Sequence, residues 1–157
     1  MDMKNDFLEK TLEDIIFENK DVISERGFPS LYKNTERQYQ INSKRIDLFS
    51  YEEVDNVFYF KIFELKRDVV HPDAFHQIAD YFWQIGVSLK DKGYTDCKYE
   101  LYLIGNDFHS DLFNYCFISE FLHLYQYKYD YDGIKFEKMG RTIAECKNFF
   151  LHNGKTF

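Results

Sequence analysis

Two acidic residues and a lysine lie at the ends of two apolar segments near the middle of the chain. Glu64 and Lys66 end the segment 57–66, which is almost wholly apolar before its last three residues. Such a run predicts a strand buried on both faces, and the alternation of side chains puts Glu64 and Lys66 on one face of it. Asp47 lies near the end of a shorter strand predicted at 45–49. Two carboxylates from neighbouring strands suit Mg²⁺ or Mn²⁺, which prefer oxygen ligands.

A divalent cation at this position would serve phosphate chemistry. A bound metal can stabilise charge on a scissile phosphate and lower the pKa of a water molecule, and the Leu65 carbonyl could add a ligand. Lys66 could orient that water or neutralise the charge that develops on phosphorus. The structural alternative is an ion pair between Glu64 and Lys66 that caps the strand, with Asp47 paired to Arg45.

A second group of polar residues follows on the next predicted helix, 72–92, which begins with Pro at its first position. Its core stripe is predicted from the apolar spacing as Phe75, Ile78, Ala79, Phe82 and Leu89. Gln77 and Tyr81 are four residues apart on a separate stripe and therefore project together. Exposed Gln and Tyr usually have no special role, but these two follow the Glu64–Lys66 strand through a short connection.

The first helix is predicted at 6–24 from the recurrence of apolar residues at helical spacing. Glu9 lies at the edge of its apolar stripe, where an acid could reach a site at the sheet edge. Glu13 lies one turn further on and is expected on the solvated flank.

The remaining pattern predicts one domain spanning 1–157, without an internal repeat or a linker. Further strands are expected at 36–41, 98–105, 122–131 and 134–139, and further helices at 110–121 and 141–151. Asn42-Ser43 and Asp132-Gly133 are predicted hairpin turns, and the acidic segment 51–56 is a third turn.

Composition narrows the class of protein. A net charge of −7 over 157 residues argues against a non-specific nucleic-acid binder, although a local patch or a metal ion can still carry a contact with DNA. The apolar runs are too short to span a membrane, and the first residues do not form a signal peptide. Three widely separated cysteines (Cys97, Cys116 and Cys146) match neither a zinc pattern nor a disulfide framework, so a cytoplasmic, reducing setting is expected.

Taken together, these motifs resemble the PD-(D/E)XK nuclease superfamily, and in particular the nuclease domain of NucS-type endonucleases. The similarity covers roughly residues 6–105. It is carried by Arg45-Ile46-Asp47-Leu48, by Phe63-Glu64-Leu65-Lys66-Arg67, and by Gln77 and Tyr81. The spacings from Lys66 to Gln77 and from Gln77 to Tyr81 match those of the family.

The resemblance implies a restriction-endonuclease-like α/β fold, in which a mixed central sheet is flanked by helices on both sides. It also implies a Mg²⁺- or Mn²⁺-dependent DNA endonuclease from a mobile element, a defence system or a repair system. Carried over by position, the metal ligands are Asp47 and Glu64, with Glu9 binding a metal-bound water or a second ion. Lys66 assists the attacking water, Gln77 and Tyr81 support the site, and Arg45 and Arg67 contact phosphate.

Three departures from the family leave other functions open. Asn42-Ser43-Lys44 stands where the family often has glycine, and the next loop is acidic, with Glu52, Glu53 and Asp55. The chain has no room for the separate DNA-binding domain of NucS-type enzymes, which suggests a homodimer or a DNA-binding partner chain. The rival hypothesis is a catalytically inactive nuclease scaffold that binds protein, as an inhibitor or an assembly subunit. A nuclease acting on RNA is a third possibility.

Overall fold

The structure is a computed structural model that describes residues 3–139, with side chains described for 11–115 and 119–139. The elements in chain order are α1 (Met3–Glu18), a 3₁₀ helix (Ile23–Arg26), β1 (Asn34–Ile41), β2 (Lys44–Val54), β3 (Val57–Leu65), β4 (Val69–Val70), α2 (Pro72–Asp91), β5 (Cys97–Gly105), β6 (Asp107–Phe108), α3 (Asp111–Ile118), β7 (Leu122–Asp130) and β8 (Gly133–Lys138).

Six of the strands form one mixed sheet in the order β1-β2-β3-β5-β7-β8. The central strands β3, β5 and β7 are parallel, and the outer pairs are antiparallel. β4 and β6 pair in parallel as a separate two-stranded ribbon. The ribbon was not predicted, because strands of two residues carry no periodic signal.

Helices cover both faces of the sheet, which confirms the predicted fold class. Phe60 and Ile62 of β3 belong to the core beneath α2, whereas Phe63 and Leu65 belong to the core beneath α1. β3 is therefore buried on both faces, which explains its apolar run. Among the described helices, none is long and apolar enough to cross a membrane.

Two-residue turns connect the antiparallel strands. The predicted turn at Asn42-Ser43 is confirmed by the pairing of Ile41 with Lys44. β2 continues to Val54, so the prediction of a turn starting at residue 51 was wrong. The turn consists of Asp55 and Asn56 alone, whose φ values of 53° and 65° suit Asp and Asn.

The last hairpin is also confirmed, but its turn lies one residue earlier than predicted. Asp130 pairs with Gly133, which leaves Tyr131 and Asp132 as the two turn residues. Gly133 follows them with a φ of 115°, a conformation that favours glycine.

The first helix is shorter at its C-terminal end than its apolar pattern predicted. α1 stops at Glu18, and the side-chain amide of Asn19 donates to the Ile15 carbonyl near this end. The apolar residues beyond it belong to the 3₁₀ helix, which ends at Gly27. Gly27 has a φ of 90°, and a Cβ there would lie 2.1 Å from the Phe136 carbonyl oxygen. The helix predicted at 141–151 lies outside the described residues.

Candidate active site

The site lies where β2 and β3 stop pairing through their backbones. The last paired residues are Leu48 and Phe63. Beyond this pair the Asp47 side chain links the two strands, because its Oδ2 accepts a hydrogen bond from the backbone N–H of Leu65 at 2.8 Å. Burial raises the pKa of Asp47 to about 6, and the nearby charge of Glu13 adds to the rise, while the Leu65 N–H and the charge of Lys66 oppose it.

Glu64 and Lys66 flank Leu65 and lie on one side of the strand, as their spacing predicted. Glu64 is 3% exposed, and its Oε1 lies 3.3 Å from the Nζ of Lys66. The backbone N–H of Lys66 donates to the Ile104 carbonyl of β5, which fixes the end of the strand. Because Asp47 is bonded to the backbone of the residue between them, all three charged residues lie at one strand end, and the charge of Lys66 acts on the Asp47 carboxylate.

Gln77 and Tyr81 contact each other on α2, with the Gln77 amide donating to the Tyr81 hydroxyl at 2.9 Å. Burial and the charge of Glu64 raise the pKa of Tyr81 to about 12, and Asp47 contributes to the rise. The phenol therefore stays protonated at neutral pH, and both carboxylates act on it electrostatically.

The predicted core stripe of α2 was partly wrong. Tyr81 is 3% exposed and belongs to the buried face, together with Ala74, Ile78, Ile85 and Leu89. Phe75 and Phe82 pack at the margin of that face instead. The spacing correctly predicted the helix and its apolar residues. It misplaced the centre of the buried face, because Tyr81 was treated as a polar residue outside that face.

An acid from α1 also reaches the site, and it is Glu13. The prediction of a solvated flank for this residue was wrong, because Glu13 is 5% exposed. Its Oε1 accepts from Arg37 Nε at 2.9 Å, and its Oε2 accepts from Gln38 Nε2 at 2.8 Å. Gln38 Nε2 also lies 3.4 Å from Asp47 Oδ1. The sequence carried no signal for this contact, since it depends on the arginine and glutamine of β1.

The other predicted site residues lie around this cluster. Glu9 belongs to α1, but its side chain lies outside the part of the chain for which side chains are described. Arg45 is exposed on β2, and among the described ion pairs it has none with Asp47. Arg67 Nε lies 3.5 Å from Asp68 Oδ2 just after β3. Both arginines are thus near the end of the sheet that carries Asp47 and Glu64, and whether either contacts phosphate stays a prediction.

The donor set fits a hard divalent cation in chemistry. No group of three His, Cys, Asp or Glu side chains that could hold a metal occurs among the described side chains. Asp47 and Glu64 supply two carboxylates, and Mg²⁺ is commonly held by one or two carboxylates together with water and substrate phosphate. A cation would also offset the desolvation that holds the pKa of Asp47 at about 6.

The alternative of a purely structural arrangement, with Glu64 paired to Lys66 and Asp47 paired to Arg45, agrees with the structure only in part. The ion pair between Glu64 and Lys66 exists, but Asp47 bonds to Leu65 and Gln38 rather than to Arg45. A desolvated Asp47 carboxylate whose pKa is raised further by the charge of Glu13 is costly for a purely structural role and is typical of functional sites.

The comparisons with known proteins give one structural likeness. No family model matches the sequence, and no curated protein matches it. Among solved structures, the fold resembles that of a repair endonuclease from Pyrococcus abyssi, with a TM-score of 0.48 and 20% sequence identity. The similarity covers 73% of this chain and 44% of that protein. This chain therefore matches less than half the length of that endonuclease.

Proposed function

We propose that this protein is a Mg²⁺- or Mn²⁺-dependent DNA endonuclease of the PD-(D/E)XK type. The observations that support the proposal are the bond from the Leu65 N–H to Asp47 and the contact between Lys66 and Glu64, which bring the three residues to one strand end. Gln77 and Tyr81, the other two residues of the motif, are hydrogen-bonded to each other on α2, and the charges of Glu64 and Asp47 act on the Tyr81 phenol.

In this proposal Asp47 and Glu64 hold the cation. When bound, the cation supplies charge stabilisation for the scissile phosphate and acidifies a water molecule. Lys66 lies beside Glu64 and is placed to orient the attacking water or to neutralise charge on the phosphate oxygens. Water adds to phosphorus, the bond from phosphorus to the leaving sugar oxygen breaks, and that oxygen takes a proton.

Tyr81 and Gln77 support the site in this scheme. The Gln77 N–H donates to the phenol oxygen, so the phenol has its own proton to donate. With its pKa raised to about 12, Tyr81 cannot act as a general base near neutral pH. It serves as a neutral donor that fixes the carboxylates and contacts the substrate.

The second candidate is a catalytically inactive scaffold of the same fold that binds a protein. The observation in its favour is the net charge of −7, which opposes stable binding to DNA without a cation or a partner chain. Against it, an inactive scaffold would have no physical need for a buried Glu64 and a desolvated Asp47 at the same strand end.

Incubation with supercoiled and branched DNA in the presence of Mn²⁺ tests the proposal. We expect cleavage by the wild-type protein and strongly reduced cleavage by Asp47→Asn and Lys66→Met. Asp55→Asn is the matched control, because Asp55 lies in the turn at the opposite end of β2 and its φ of 53° suits Asn. Equal cleavage by all four proteins would mean that a contaminant cuts the DNA, and no cleavage by any would favour the scaffold. A parallel incubation with RNA tests the third possibility.

A further inference from the structure

The side chains of β2 change from one side of the sheet to the other at Asp47. Ile46 belongs to the core beneath α2, and Leu48 belongs to the core beneath α1. Residues two apart on a regular strand point to the same side of the sheet, so β2 must rotate between them. β1 rotates at the same level, since Arg37 binds acids of α1 whereas Tyr39 packs with the core beneath α2.

Gln38 lies opposite Asp47 at the centre of this rotation. The paired residues on either side are Arg37 with Leu48 and Tyr39 with Ile46, so no residue is inserted. Gln38 has a φ of 50°, in the left-handed region that residues other than glycine rarely adopt. Such backbone strain persists only where the surrounding structure enforces it, and it is concentrated at functional sites.

The side-chain amide of Gln38 joins two carboxylates. Its Nε2 lies 2.8 Å from Glu13 Oε2 and 3.4 Å from Asp47 Oδ1. The other oxygen of Asp47 accepts the Leu65 N–H at 2.8 Å. Both oxygens of the Asp47 carboxylate are therefore held by donors, one from each neighbouring strand, and the plane of the carboxylate is fixed.

We propose that Gln38 is a positioning residue for Asp47: its left-handed backbone and bridging amide turn the carboxylate towards the end of β3 and tie it to Glu13 of α1. The catalytic part of this inference rests on the proposed function, because a fixed carboxylate matters for chemistry only if it binds a cation. The positioning itself is a property of the metal-free protein and can be measured there.

Two substitutions separate the side chain of Gln38 from its backbone. Gln38→Gly and Gln38→Asn both suit a positive φ, so neither strains the backbone, and any loss in the free energy of unfolding comes from the side-chain hydrogen bonds that they remove. The first removes the amide, and the second is one methylene too short to reach both carboxylates. Gln40→Asn is the matched control, since Gln40 lies on the same strand and donates to the Asn42 carbonyl instead.

The first measurement is hydrogen exchange of the Leu65 amide in the metal-free proteins, followed by NMR. We expect about fivefold faster exchange in both Gln38 variants, the factor that the loss of a typical hydrogen bond gives, and no change in Gln40→Asn. The second measurement is calorimetric titration with Mn²⁺, for which we expect the affinity to fall about 10- to 100-fold, as for other residues that orient metal ligands.

Three outcomes distinguish the positioning role of Gln38 from the proposed nuclease function. Faster Leu65 exchange with weaker Mn²⁺ binding supports both. Faster Leu65 exchange in the variants, with no Mn²⁺ binding even by the wild-type protein, supports the positioning of Asp47 and counts against the nuclease. Wild-type exchange of Leu65 in both folded variants would overturn the inference.

Discussion

The carboxylate of Asp47 accepts a hydrogen bond from the backbone N–H of Leu65 at 2.8 Å, just past the last backbone pair between β2 and β3. This bond replaces a backbone pair with a side chain, and it brings an acid from β2 to the residue between Glu64 and Lys66. The end of β3 thereby becomes a site with acids from two strands rather than an ordinary strand end.

Asp47 should destabilise the metal-free protein at neutral pH. Its folded pKa of about 6 lies above the ordinary value of 3.8, so the folded state binds the proton more tightly than the unfolded state does. Stability is therefore lost as the pH rises from about 4 to 6, by about 3 kcal/mol at 1.36 kcal/mol per pKa unit.

Asp47→Asn, whose amide oxygen can still accept the Leu65 N–H, removes this penalty. We expect it to raise the free energy of unfolding by about 3 kcal/mol at pH 8 and to change it little at pH 4, as measured by urea denaturation without metal. A destabilised variant at pH 8 would show that Asp47 serves the fold.

Lys66→Met should abolish most of the cleavage while leaving the fold intact. The substitution keeps the length of the side chain and removes the charge beside Glu64. Loss of one group that stabilises transition-state charge costs about 10²–10³ in kcat, so we expect a fall of that size in single-turnover DNA cleavage. Lys128→Met is the matched control, since Lys128 lies on β7 and its side chain is half exposed.

Gln77 and Tyr81 should be energetically coupled. Removing either partner by Tyr81→Phe or Gln77→Leu loses one hydrogen bond, which typically contributes about 1 kcal/mol to the free energy of unfolding. Because the two side chains touch, the double variant should lose less than the sum of the single losses. Tyr94→Phe with Gln77→Leu provides the control pair, since the Tyr94 hydroxyl donates to Glu53. Additive losses for Gln77 and Tyr81 would contradict their hydrogen bond.

Glu13→Gln should lower the pKa of Asp47. The charge of Glu13 raises that pKa in the folded protein, so removing the charge makes Asp47 easier to ionise. An NMR titration of the Asp47 carboxyl carbon measures the shift directly. Asp14→Asn is the control, because Asp14 lies next to Glu13 on α1 and also pairs with Arg37 of β1. Asp14 is not among the groups that shift the pKa of Asp47. An unchanged Asp47 titration in Glu13→Gln would place Glu13 outside the site.

The sequence predicted the parts of the site that depend on local periodicity. Alternation along β3 placed Glu64 and Lys66 together, and helical spacing placed Gln77 beside Tyr81. Contacts between elements that are distant in the chain produce no periodic pattern in the sequence. Glu13 reaches the site only because Arg37 and Gln38 of β1 bind it. The rotation of β2 at Asp47 was equally hidden, since the alternation of apolar residues assumes a regular strand.

The fold was predictable to a similar extent. The long elements were found because each has one or two buried faces that fix its hydrophobic period. Their ends were less certain: β2 runs five residues beyond its predicted end at Phe49, through Glu52 and Glu53, whose charges indicated a turn. Those acids lie at an edge of the hairpin, where solvent allows charge on a strand.

Calorimetric titration with Mn²⁺ tests the central claim most directly, because that claim is that Asp47 and Glu64 hold one cation. We expect one Mn²⁺ per chain for the wild-type protein and for Asp55→Asn, and no heat of binding for Asp47→Asn or Glu64→Gln at the same concentrations. Wild-type binding that survives both substitutions, or no binding by the wild-type protein, would contradict the account.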